Sequence, residues 1–401
     1  MKNLTSLILM ILTFGLPFAA CDNSSEPDPE PVPEYPKESA RSVLVYMVAN
    51  NNLGNSYSHY DANDLSEMQW AMDSVKGMDG ELMVFRAPYN GTPVLLRMRA
   101  DNAPDTLKLY ADQSFKCLSE EGMKQVINDS REFVHATEHG LVLWSHGSGW
   151  VQDGFEDASG KRRSYGVDGD MRMNVTSLAS VLESGFDFDW LYFDCCFMNS
   201  IEVAYELRNA VPLIIGSATE VPAEGMPYQY NVPEFLKKGG SDPLTAAQNT
   251  FKWYDSQVGI NRTCTMSAIR TSAINKLASA IKAIYIASDG TLPPSYSPQR
   301  FENANVSSCR YFDLDNYIEA LCIDTDGADR FDGATEALAA FRVAMDEAVI
   351  YKNATPKLWN VVPLTHHSGL STYILRNPDS ANNKNYNTLS WYADVASELG
   401  F

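Results

Sequence analysis

The sequence is poor in positive charge, in cysteine and in long apolar runs, and each shortage closes off a class of function. Only 31 Lys+Arg stand against 51 Asp+Glu, a formal charge of −20. A nucleic-acid backbone needs a cationic footprint, so nucleic acid is not an expected partner. Cysteines number 7 in 401 residues, too few and too scattered for a disulfide-built scaffold, so an apolar core must hold the fold. No Cys-x-x-Cys pair occurs, and the adjacent Cys195 and Cys196 point apart on an extended chain, which argues against a shared structural zinc. The Gly-x-Ser-x-Gly, Gly-x-Gly-x-x-Gly and Walker phosphate-loop patterns are missing too, which removes the usual serine-hydrolase, dinucleotide and nucleotide readings. What is present, 45% hydrophobic and 11% aromatic residues, suffices for a sizeable globular core.

The apolar run behind Lys2, from Leu4 to Leu16, is too short for a comfortable membrane span and leads to Phe18-Ala19-Ala20. Residues 1–20 read as a signal peptide. Small residues directly ahead of Cys21 resemble the lipobox of bacterial lipoproteins, whose cysteine is acylated. Phe18 departs from that pattern, and an ordinary secretory signal is the other reading. Residues 21–40 carry Pro27, Pro29, Pro31, Pro33 and Pro36 among acidic side chains. They cannot bury enough surface to fold and are read as an extended linker. The expected location is outside the cytoplasm, as a lipoprotein tethered at the cell envelope or surface by its N-terminal lipid, or as a secreted protein.

Beyond the linker, short apolar runs recur at Val43 to Val48, Leu82 to Phe85, Leu141 to Trp144, Trp190 to Phe193 and Pro212 to Gly216. They predict buried strands. Segments of helical period lie between them, around Leu65 to Met72, Val126 to Val134, Leu178 to Leu182 and Ile201 to Leu207. Such alternation predicts an α/β fold with a mostly parallel sheet flanked by helices. Residues 41–270 are read as the main α/β domain and 271–401 as a largely helical C-terminal region packed on it, with a last strand-like run from Leu370 to Leu375.

In parallel sheets chemistry collects at the carboxyl ends of the strands. Two predicted strands exit into Ser145-His146-Gly147 and Asp194-Cys195-Cys196. On neighbouring strands, a histidine and a cysteine would then face one crevice. A thiolate nucleophile benefits from a nearby base and from a helix N-terminus, which the segment from Met198 to Leu207 is expected to supply directly after Cys196. With no side chain at Gly147, its N–H and that of Cys196 can form an oxyanion hole.

These motifs, with Val43-Leu44-Val45-Tyr46-Met47, Phe197-Met198, Ile201-Glu202-Val203-Ala204-Tyr205-Glu206-Leu207 and Gly225-Met226-Pro227-Tyr228 in the same order, resemble the clostripain family of cysteine peptidases. Further matches carry the resemblance from about residue 41 to 376. It implies a caspase-like fold, His146 as catalytic base, Cys196 as nucleophile and Asp194 at the floor of the pocket for the residue preceding the cut. Cys195 stands where the family usually has alanine. A carboxylate in a narrow pocket pairs with guanidinium or ammonium, so the expected activity is cleavage of peptides or proteins after Arg or Lys. Glu220 and Glu224 are candidates for a second carboxylate at the pocket rim. The resemblance also implies self-processing between histidine and cysteine, for which Lys161, Arg162 and Arg163 are the candidate site. The expected assembly is a monomer, or two associated chains once nicked.

No cofactor is required on this reading. Calcium, used by some relatives, stays open at the acidic loop residues Asp153, Asp157, Asp168 and Asp170, for which simple solvation is the other reading. His135 and His139 are read as a surface pair at a helix end. Two rivals remain: a catalytically inactive cell-surface binding protein on the same scaffold, and a peptidase of the same fold with another specificity.

Overall fold

The computed structural model describes residues 35–151, 165–288, 290–293, 296–304, 308–375 and 381–399. Cys21 and the Lys161 to Arg163 run, with the residues read as a signal peptide and most of those read as a linker, lie outside the described residues.

Nine strands form the main sheet: β1 Lys37–Val48, β2 Glu81–Ala87, β3 Val94–Arg97, β4 Asp105–Leu109, β5 Val134–Trp144, β6 Trp190–Asp194, β7 Leu213–Gly216, β8 Thr265–Arg270 and β9 Val349–Ala354. Their spatial order is β9-β8-β7-β6-β5-β1-β2-β3-β4. The central strands β2, β1, β5, β6 and β7 run parallel. An antiparallel pair closes each edge, β3 and β4 on one side and β8 and β9 on the other. All five predicted strands are present, and they are the parallel centre.

The period of two along β1 divides two cores. Val43, Val45 and Met47 face one, which is completed by α1 Tyr60–Ser74, α5 Tyr228–Phe235 and α6 Pro243–Asp255. Leu44, Tyr46 and Val48 face the other, with α2 Glu120–Phe133, α3 Val175–Leu182, α4 Ile201–Glu206, α7 Ile274–Ser288, α8 Leu314–Cys322 and α9 Ala334–Ala348. A strand buried on both faces reads as a continuous apolar run, which is why Val43 to Val48 is so legible. Each such side chain contributes roughly 1.5–3 kcal/mol on burial.

Three expectations are corrected, and the largely helical region after residue 270 gains an edge strand. Lys37–Ala40, assigned to the linker, begin β1, with Lys37 opposite Val134 and Ser39 opposite Ala136. His135 and His139 lie in β5, because α2 ends at Phe133 and the strand starts at once. His135 contacts Glu38 at 3.0 Å, and the backbone N–H of His139 donates to Asp189. The residues after 270 supply an edge strand of the sheet as well as helices, and everything described from Tyr35 onward forms one compact unit. Of the run from Leu370 to Leu375, only Ser371–Thr372 is strand, bridged to Phe312–Asp313.

Candidate active site

Adjacent β5 and β6 pair in register, with Trp144 opposite Asp194. Two residues past that pair, His146 and Cys196 emerge side by side and line one cavity of about 320 Å³. The topology thus brings together the histidine and cysteine that the sequence placed at two strand exits. Gly147 explains how closely the exits pass. A Cβ there would lie 2.6 Å from the Cys196 carbonyl oxygen and 2.8 Å from the Cys195 Cβ, so only glycine fits without displacing the nucleophile segment.

The two thiols have different surroundings. Cys195 is buried and its Sγ donates to the Leu143 carbonyl at 2.9 Å, where burial pushes its thiol well up. Cys196 is half-buried in the cavity, and the Val221 N–H donates to its Sγ at 3.3 Å. The helix expected directly behind Cys196 begins only at Ile201, where Ser200 caps it by accepting from the Val203 N–H. Phe197 takes a left-handed conformation, φ 62°, and turns the chain before the helix can start. The backbone donor beside the thiol is therefore Val221, not a helix N-terminus.

His146 is held from several sides. Its Nε2 lies 2.8 Å from the Asn52 Oδ1. Asn51 fixes that loop, donating to the Val48 and Val167 carbonyls and accepting from the Leu53 N–H. Behind the histidine, Ser145 Oγ donates to the Val48 carbonyl and accepts from the Val167 N–H, and the His146 carbonyl accepts from the Gly166 N–H.

Asp194 lines the same cavity and is 6% exposed. Both its carboxylate oxygens accept from the Met226 N–H at 3.1 Å, and the Tyr228 hydroxyl donates to it at 3.2 Å. Burial raises its pKa to about 6, against the lowering effect of those donors. Gly225, at φ +64°, lets the loop close over this carboxylate, since a Cβ there would meet Asp194 Oδ2 at 2.7 Å. Asp64 and Glu67, from α1, feel the Asp194 charge. Asp64 accepts from the Trp144 indole N–H at 2.6 Å, and Glu67 accepts from the Tyr228 N–H at 3.0 Å. Burial first, then the neighbouring Asp194, raises the Asp64 pKa well above the usual range. Burial also raises that of Glu67. Burying a carboxylate without a paired cation is costly, and the raised pKa values of these three groups express that cost.

Glu220 lines the cavity, and its Oε2 accepts from the Trp359 indole N–H at 2.7 Å. Glu224 is exposed in the same loop and is not among the cavity-lining residues. Among the described residues no group of three or more His, Cys, Asp or Glu side chains is arranged to hold a metal ion. Of the four acidic residues weighed for calcium, Asp153 and Asp157 lie outside the described residues. Asp170 is exposed, and Asp168 is engaged by Asn50 and Cys117.

The sequence reading missed Asn52, Tyr228, Asp64, Glu67 and Trp359. Asn52 was within reach of the strand-exit rule, since it follows the carboxyl end of β1. Trp359 comes from the C-terminal region, and no local pattern announces it.

The family model for the Clostripain family matches residues 45–399. A search of curated proteins returned no match. Among solved structures, an inactive zymogen C11 protease from Parabacteroides distasonis superposes with a TM-score of 0.74 at 26% identity, covering 90% of this chain and 99% of its own. A secreted C11 cysteine protease from Bacteroides thetaiotaomicron, in complex with an irreversible peptide inhibitor, gives 0.70 at 28% identity, covering 89% and 99%.

Proposed function

The chain belongs to the clostripain family of cysteine peptidases, and from that premise we propose that it is an endopeptidase cutting after Arg or Lys, with Cys196 as nucleophile and His146 as base and acid. The observation that carries the specificity is Asp194, a buried carboxylate opening onto the cavity that holds both Cys196 and His146. A guanidinium reaching it forms charge-assisted hydrogen bonds, whereas an acidic side chain meets the like charge of Asp194.

In the proposed reaction, the Cys196 Sγ gives its proton to His146 and attacks the scissile carbonyl carbon. The oxyanion forms against backbone N–H groups, with those of Gly147 and Cys196 as the candidates. His146 then protonates the leaving amine as the C–N bond breaks. Water, deprotonated by His146, attacks the thioester, and the Cys196 thiolate leaves. Asn52 acts as a positioning residue by holding the His146 Nε2.

An exported protease among the similar structures supports export of this chain as well; acylation of Cys21 and self-cleavage at Lys161, Arg162 or Arg163 complete the proposal. Matched fluorogenic peptides ending in Arg, Lys, Leu or Asp test it. Turnover confined to Arg and Lys is expected, and equal turnover of all four refutes the assigned pocket. If wild type and Cys196→Ala are equally silent, including after deliberate nicking of the 152–164 segment, the inactive binding protein replaces the enzyme.

A further inference from the structure

The strongest unassigned feature of the cleft is Trp359. It sits at a tight hairpin between Lys357–Leu358 and Val362–Pro363, with Trp359 at φ 51° and Asn360 at φ 57°. Both central residues are thus left-handed, and the Val361 N–H donates to the Leu358 carbonyl, a type I′ turn. Glycine, asparagine and aspartate suit such positions; a tryptophan does not. The conformation is over-determined by its surroundings. The Trp359 N–H donates to Thr263 Oγ1, Leu358 is buried, and Thr355 Oγ1 donates to both the Cys264 and Lys357 carbonyls. Strain held in place this firmly at a cleft marks a position where the ring itself matters.

The ring is also oriented. Its indole N–H points to Glu220, which fixes the aromatic plane and seats a carboxylate at its edge. An aromatic face and an adjacent carboxylate both attract a cation, one through the ring quadrupole and the other through charge. Glu220 is exposed at the rim, whereas Asp194 is buried beneath Met226 and Tyr228. One basic side chain satisfies the deep carboxylate and leaves the rim pair for a second.

We propose that Trp359 and Glu220 form a second cation subsite that selects a Lys or Arg immediately before the basic residue at the cut, so that dibasic peptides are the preferred substrate class. This rests on the Arg/Lys reading of Asp194. The chain's own Lys161-Arg162-Arg163 is a sequence of that class.

The test measures kcat/KM for peptides ending in Ala-Arg, Leu-Arg, Arg-Arg, Lys-Arg and Asp-Arg before one fluorogenic leaving group. Hydrolysis of Ala-Arg that is lost in Cys196→Ala establishes the underlying reading; the ratios test the subsite. Arg-Arg and Lys-Arg are expected to exceed Ala-Arg by about tenfold, with Asp-Arg below it. Trp359→Ala and Glu220→Gln should bring the Arg-Arg to Ala-Arg ratio toward one. Trp359→Phe, which keeps the face and loses the N–H, should retain part of it and guards against a folding defect in the alanine variant. Ala-Arg turnover with Leu-Arg favoured over Arg-Arg, or a ratio unmoved in all three variants, overturns the proposal.

Discussion

Asp194→Asn separates what this carboxylate does for recognition from what it does to the fold. In the folded chain its pKa is about 6 against an ordinary 3.8, because burial outweighs the donors from Met226 and Tyr228. A folded value above the unfolded one means that its stabilising contribution is complete below about pH 4 and is lost as pH rises through about 6. Linkage between those two values gives a loss of roughly 2 kcal/mol from about pH 4 to about pH 7.5. The asparagine variant lacks that titration, and removing the charge also eases ionisation of Asp64. It also replaces one acceptor oxygen of the site by an amide donor, at a cost of about 1–3 kcal/mol at every pH. Denaturant unfolding of both proteins across this range isolates the titrating part. Relative to wild type, the variant should gain roughly 2 kcal/mol over the interval, while its preference for Arg over Leu at the cut falls on the order of a hundredfold. Stability curves that run parallel with pH would refute the reasoning about the buried carboxylate, whatever happens to activity.

Asn52→Ala should lower kcat about ten- to a hundredfold with KM changed less, since it removes the Asn52 hold on His146 and leaves Asp194 in place; steady-state kinetics reads this split. Gly147→Ala should reduce turnover strongly and cost about 1–3 kcal/mol of stability, because its Cβ meets the Cys196 carbonyl oxygen; thermal unfolding and kinetics measured together check it. Cys195→Ala should keep activity and lose about 1 kcal/mol, the contribution of a buried thiol donating to Leu143, again measured by thermal unfolding.

How far the sequence could be read depends on the range of each signal. The parallel centre was legible because strands such as Val43 to Val48 are buried on both faces and carry unbroken apolar runs. The pairing of His146 with Cys196 followed from the same logic, since neighbouring parallel strands bring their carboxyl ends together, whereas the role of Asp194 came from the family resemblance alone. The error at His135 and His139 arose because α2 passes into β5 without a loop. The late start of α4 was also encoded, in Ser200 as cap, with polar Asn199 and Ser200 separating Met198 from Ile201. Trp359 and Asp64 reach the site only through tertiary contacts with Glu220 and Trp144, and no local pattern reports such pairs.

The most direct measurement labels the intact protein with a thiol-reactive peptide ketone ending in Lys and locates the adduct by peptide mass mapping. The account predicts one adduct, on Cys196, absent in Cys196→Ala and suppressed in Asp194→Asn. An adduct on Cys195, or labelling that persists in Cys196→Ala, would contradict it.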